Sequence, residues 1–158
     1  MDKLISCLDQ QFAELHRAHR ELIGAISPAL LYRQPPGGSS LFPILSCGEY
    51  VLRSAAAVEQ TFGGITSNLW DDPFEWTLPE TLPTPDKVNG YLEVVENTRK
   101  HGFEFFRSDD DLFKEIMAPS GQTQLFPLLL DTLARAAHHQ GGAVATLELL
   151  NSISKDAK

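Results

Sequence analysis

Cysteine is scarce in this chain: Cys7 and Cys47 are the only two, too few for a disulfide framework and in no metal-ligand spacing. A reduced, cytoplasmic compartment is the expectation, with Cys47 read as a small buried residue. Basic charge is short as well. Thirteen Lys and Arg face 21 Asp and Glu, for a net charge of -8 and a pI near 5.0, and no local Lys/Arg cluster offsets that balance. Such a surface repels phosphate backbones and acidic lipid, which argues against nucleic acid and membrane partners. No apolar run approaches the roughly 18 residues of a spanning helix. The opening MDKLISCLDQQFAEL turns charged and amphipathic at once, so neither export nor insertion is expected. Phosphate-cradling glycine spacing is missing around Gly37-Gly38, Gly63-Gly64 and Gly141-Gly142, and no serine stands on a strand-turn-helix elbow. No segment alternates apolar and polar residues for long enough to predict a strand.

What the chain does carry is helical period. Its 158 residues, 42% of them hydrophobic, fit one domain, expected over residues 1–150 with a frayed tail at 151–158. Leu4, Leu8, Phe12, Leu15, His19, Leu22 and Ile26 predict helix one over residues 2–26. His16, interleaved with Arg17 and Arg20, falls beside that stripe and is expected in solvent. Ser27-Pro28 ends the helix, because a residue before proline avoids the α region. After the turn-rich link ALLYRQPPGGSS, Ser39 or Ser40 is the expected cap of helix two, which runs to about Phe62 and closes at Gly63-Gly64. Ile44, Gly48, Val51, Ala55, Val58 and Phe62 form its apolar stripe, flanked by Ser46, Glu49, Arg53 and Gln60 as a polar lining suited to a cavity.

The stretch 65–83 is proline-punctuated and long enough to cross the end of a bundle, which lets helices two and three run parallel. Its Trp70, Phe74 and Trp76 are expected to cap the core, with a binding lid as the alternative. Thr84-Pro85-Asp86 opens helix three, with Val88, Tyr91, Leu92 and Val95 buried and His101 outside. Ser108-Asp109-Asp110-Asp111 starts a short helix reaching Ile116. Its acids lack the ligand spacing of a calcium loop and are read as a solvated cap. Residues 125–150 form helix four, with a stripe at Leu128, Leu129, Thr132, Ala136, His139, Ala143, Thr146 and Leu150. Four long helices and one crossover predict an all-α, four-helix bundle.

Helix four holds the densest chemistry. Arg135 and His139 are four apart and share a face, while His138 points about a quarter turn away. His139, on the apolar stripe, is either a hydrogen-bonded core residue or a ligand. At this point the sequence resembles the DinB/YfiT-like family of bacterial four-helix bundles over nearly its whole length. The resemblance rests on Ser46-Cys47-Gly48-Glu49-Tyr50-Val51-Leu52-Arg53 followed by alanines, and on Ala137-His138-His139-Gln140-Gly141, similar to the family's frequent His-His-Arg-Gly-Gln. It implies an up-down-down-up bundle, commonly a homodimer, with one metal-ligating His on helix two and two on helix four spaced i, i+4. Some members are thiol-dependent transferases or isomerases.

Carried over by register, those ligand positions fall on Arg53, Arg135 and His139. Arginine stays protonated and offers no lone pair to a metal. A three-His site of the family type is therefore not expected, and no cofactor is predicted; zinc or nickel would require a site rearranged around His138 or His19. Two readings of the arginines follow. Each has an acid four residues ahead of it, Glu49 before Arg53 and Asp131 before Arg135, so both can be locally salt-bridged in an inert pocket. Alternatively, Arg53, Arg135 and His139, with His19 opposite, form a ligand pocket for a small anionic molecule. The functional expectation is a binding or interaction module with a degenerate metal site; the alternative is a metal-dependent, thiol-dependent transferase or hydrolase-like enzyme.

Overall fold

The computed structural model describes residues 2–39, 41 and 43–156. The chain is mostly helical. The four predicted long helices are α1 (Lys3–Ala25), α3 (Cys47–Ser67), α4 (Pro85–Phe103) and α5 (Leu125–Asp156), and Pro28–Leu31 adds a single turn, α2. Helix α1 buries Ile5, Leu8, Phe12, Leu15, His19 and Ile23. That face follows the 3.6 period, so Ile5 and Ile23 take the core places expected for Leu4 and Leu22. Its first turn is capped from far along the chain: the Leu4 and Ile5 amides donate to the Asp109 carboxylate at 3.1 and 3.0 Å. Asp109 is thus no solvated cap of its own turn; it supplies negative charge to the N-terminus of α1.

Helix α3 starts later than expected. Its cap is Ser46, whose N–H and Oγ donate to Glu49 Oε2 at 2.9 and 2.6 Å while the Glu49 amide donates back to Ser46 Oγ at 3.3 Å, a reciprocal capping box. Ser39 lies outside the helix, and Ser40 lies outside the described residues. Gly63-Gly64 does not stop the helix either. It continues to Ser67 and closes on Asn68 in the left-handed region, φ 55°. Gly64 is needed for contact: a Cβ there would sit 2.3 Å from the Trp70 ring. Helix α4 begins where Thr84-Pro85-Asp86 predicts, with the Lys87 amide on Thr84 Oγ1 at 3.3 Å.

A strand pair overturns the expectation of none. β1 (Glu115–Ala118) and β2 (Gly121–Gln124) pair antiparallel, Glu115 opposite Gln124 and Ala118 opposite Gly121. Asp109–Phe113 ahead of them is a 3-10 turn, so the short helix predicted to reach Ile116 stops early. Four-residue strands with a Gly121 at φ 116° are held by their turn and ladder more than by side-chain period. Helix α5 continues through Asp156, past the predicted fraying at 151; residues 157 and 158 lie outside the described residues.

The core lies where α1, α3 and α4 meet. Phe12 and Phe62 stack edge to face at 5.2 Å, and Phe62 and Phe103 approach at 5.2 Å. Helix α3 packs most extensively on α5 and next on α4, while α1 lies against α4 and α5. Polar bonds tie the α3/α5 seam: Ser54 Oγ donates to the Ala136 carbonyl at 2.7 Å, Thr61 and Thr132 share a 2.8 Å bond, and Thr146 Oγ1 donates to the Leu45 carbonyl at 3.3 Å.

Candidate functional site

An open cleft of about 580 Å³ lies between α3, α5 and the crossover segment 72–80, within the size range of small-molecule sites. Successive turns of α3 contribute Glu49, Leu52, Arg53, Ala56, Ala57 and Gln60, and α5 contributes Arg135 and His139. The third wall is the crossover, through Phe74, Leu78, Pro79 and Glu80 among others. Arg53, Arg135 and His139 are brought together here. His19 is not: it lies on the other side of α3, facing a separate cavity.

The crossover departs from its expected role. Phe74 is 59% exposed and Trp76 44% exposed, so neither caps the core; Trp70 alone packs inward, onto Gly64. A four-residue 3-10 turn, Pro73–Trp76, is started by the Asp72 carboxylate accepting from the Phe74 amide at 3.1 Å, and it turns Phe74 toward the cleft. Sequence period carries no signal for this wall, since the segment has none.

The two arginines differ in their partners. Arg135 Nε donates to Asp131 at 2.9 Å across an exposed i, i+4 pair, and neither Nη group bonds to another described residue. Glu49 is drawn into the Ser46 cap, and among the described residues Arg53 forms no ion pair. Of the two acid-first pairs expected, only Asp131 with Arg135 forms. His139 is half-buried at the gap in the α5 core stripe between Ala136 and Ala143. Its buried Nδ1 has no partner among the described residues. Burial, then His138, Arg53 and Arg135, hold its imidazole below the ordinary pKa, so it is neutral at pH 7 with one donor and one acceptor. Cys47 is fully buried at the start of α3, and burial raises its thiol to about 11, which removes it as a nucleophile.

His19, 2% exposed, faces a cavity of about 20 Å³ on the α1/α4 side, with His16, Glu96 and Arg99 among the lining. Its Nε2 has no partner among the described residues, and burial lowers its pKa to about 4. His16 is not in solvent as expected; its side chain is 20% exposed and turned toward Glu93. Arg99 donates through Nε and Nη2 to Glu96, both at 2.8 Å, and through Nη1 to Asp9. Sequence reasoning passed over this buried network. The signal was present, since Arg99 continues the Val88, Leu92, Val95 stripe and Glu96 precedes it by three.

Searches by family profile and against curated proteins return no match. Among solved structures, the chain matches a protein provisionally assigned to the DinB family from Exiguobacterium sibiricum 255-15, with a TM-score of 0.68 over 96% of this chain and 94% of that one, at 19% identity. The two share a fold. A metal of the kind implied by the resemblance to DinB/YfiT-like proteins does not suit the residues present. Two of the three carried-over positions are guanidinium groups, and His138 and His139, with rings 5.7 Å apart, gain no third partner: among the described residues no three His, Cys, Asp or Glu side chains converge. No helix among those residues is long and apolar enough to cross a membrane.

Proposed function

We propose that this chain is a DinB/YfiT-like protein in which the metal position has become an anion-binding cleft, and that it acts as a small-molecule binding or interaction module. The up-down-down-up bundle is part of this reading. Its support is the contact register: along α3 and α5 the pairs run Tyr50 with Gly142, Ser54 with Ala136 and Thr61 with Thr132, descending on α5. Along α3 and α4, Glu59 meets Tyr91 and Phe62 meets Gly102, ascending on both, as two parallel helices joined by a long crossover require. A cytoplasmic homodimer follows from the composition and the family resemblance.

One observation carries the anion reading: Arg53, without a carboxylate partner among the described residues, lines the same cleft as Arg135 and the half-buried His139. A carboxylate or phosphate can take bidentate bonds from the guanidiniums and one from a neutral imidazole N–H. The thiol-dependent transferase alternative needs an activating metal that this donor set does not hold. The test is calorimetric titration of the full chain with benzoate and with zinc. Benzoate is expected to bind in a salt-sensitive manner and to lose about tenfold or more in affinity in the Arg53→Met, Arg135→Met double variant. Zinc is expected to bind only after both arginines are changed to histidine. Saturable zinc binding by the unmodified chain would overturn the reading.

A further inference from the structure

The cleft has a neighbour. A second cavity, of about 350 Å³, is walled by Gln60 on α3, Leu128 and Arg135 on α5, Trp70 of the crossover and the hairpin turn at Pro119 and Ser120. Gln60 and Arg135 belong to both linings, so the two spaces adjoin across that pair of side chains. Neither is part of the packed core: Gln60 donates to the Trp70 carbonyl at 3.3 Å, and the Arg135 side chain is 48% exposed.

Bonds along the α3/α5 seam give the order of the two spaces. Ser54 Oγ donates to the Ala136 carbonyl at 2.7 Å, which sets Arg53 and Arg135, the residues just before those two, within about 3 Å of helix rise of one level. Thr61, further along α3, bonds Thr132, further back on α5, at 2.8 Å, and Thr61 lines the second cavity. The wall at Gln60 and Leu128, each seven residues from its arginine, therefore lies about 10 Å further along the bundle. Charge differs between the spaces. Both arginines line the first, whereas only Arg135 lines the second, with its Nε held by Asp131 at 2.9 Å. Apart from that pair the second lining is uncharged, with apolar surface from Trp70, Pro119 and Leu128.

We infer that the two spaces serve one ligand, an elongated amphipathic carboxylate, whose carboxylate binds Arg53 and Arg135 and whose apolar body passes Arg135 into the chamber walled by Trp70, Leu128 and the hairpin turn. This rests on the anion reading above and adds the body of the ligand. Apolar area removed from water in the second chamber adds affinity roughly in proportion to its extent. A single negative charge also approaches a chain of net charge -8 with less repulsion than a polyphosphate meets.

The test is calorimetric titration of the full chain with benzoate, 4-phenylbutyrate and 4-phenylbutanol. The 4-phenylbutyrate is expected to bind about tenfold or more tighter than either of the others, one of which lacks the length and the other the charge. Ser120→Trp in the turn and Leu128→Trp on α5 fill the second cavity from two different elements. Each is expected to bring 4-phenylbutyrate down to the affinity of benzoate while leaving benzoate unchanged; a variant that loses benzoate as well has lost the site, and the other then decides. If 4-phenylbutyrate binds no tighter than benzoate to the unmodified chain, or keeps its advantage in the filled variants, the inference fails and the anion reading stands. Binding of the alcohol as tight as that of the acid, or no binding by any of the three, defeats both readings.

Discussion

Two arginines on opposite sides of α3 show how the same side chain takes different work from its neighbours. Arg99, 3% exposed, spends its guanidinium on Glu96 and Asp9, and a buried charge so fully bonded has nothing left for a ligand. Arg53, exposed in the cleft, loses the acid expected for it because Glu49 is the third residue of a capping box. The local demand of a helix N-terminus thus overrides an i, i+4 ion pair, which is worth only a few tenths of a kcal/mol on a helix surface. The stable side of the bundle is closed electrostatically, and the open side carries unmatched charge.

The sharpest break of this contrast is to remove each arginine in turn. Arg99→Met strands Asp9 and leaves Glu96 with Lys100 alone, and is expected to cost about 3–5 kcal/mol in urea denaturation, whereas Arg53→Met should change stability by less than about 0.5 kcal/mol. Equal losses would erase the distinction. A second measurement is pH dependence on the closed side. With His19 at about 4 in the folded chain and 6.5 as its ordinary value, both states are neutral above pH 6.5. As pH falls from 6.5 toward 4 the unfolded chain takes up the proton first, so stability should drop by on the order of 3 kcal/mol and then level off. His16, in the same cavity, and His139 are shifted the same way, so the decisive comparison is with His19→Leu, in which the drop should shrink by about that amount while a smaller slope remains. A third measurement concerns the crossover: Gly64→Ala drives a methyl into Trp70 and should cost about 1–3 kcal/mol, while the His19 slope stays unchanged.

The long helices were legible because their apolar spacing and caps agree, as at Thr84-Pro85-Asp86, where propensity, cap and charge all favour one start. The misplaced start of α3 came from treating Ser39 and Ser40 as caps without asking which serine has a glutamate three residues on; Ser46 does. The hairpin was hidden by its length, since four-residue strands give too few alternations to read. Arg53, Arg135 and His139 could be placed on helix faces from spacing alone, but His19 could not be assigned to a cavity, because four-helix spacing says which face is inward and not which neighbour it meets. The crossover wall had no period to read, and Asp109 acts on a helix more than a hundred residues away.

Both tryptophans of the chain, Trp70 and Trp76, belong to the crossover. Tryptophan emission is therefore a private channel for the crossover wall and for the face of α3 under Trp70. Emission followed beside far-ultraviolet dichroism would separate a rearrangement of that wall from loss of the helices behind it, with no label attached.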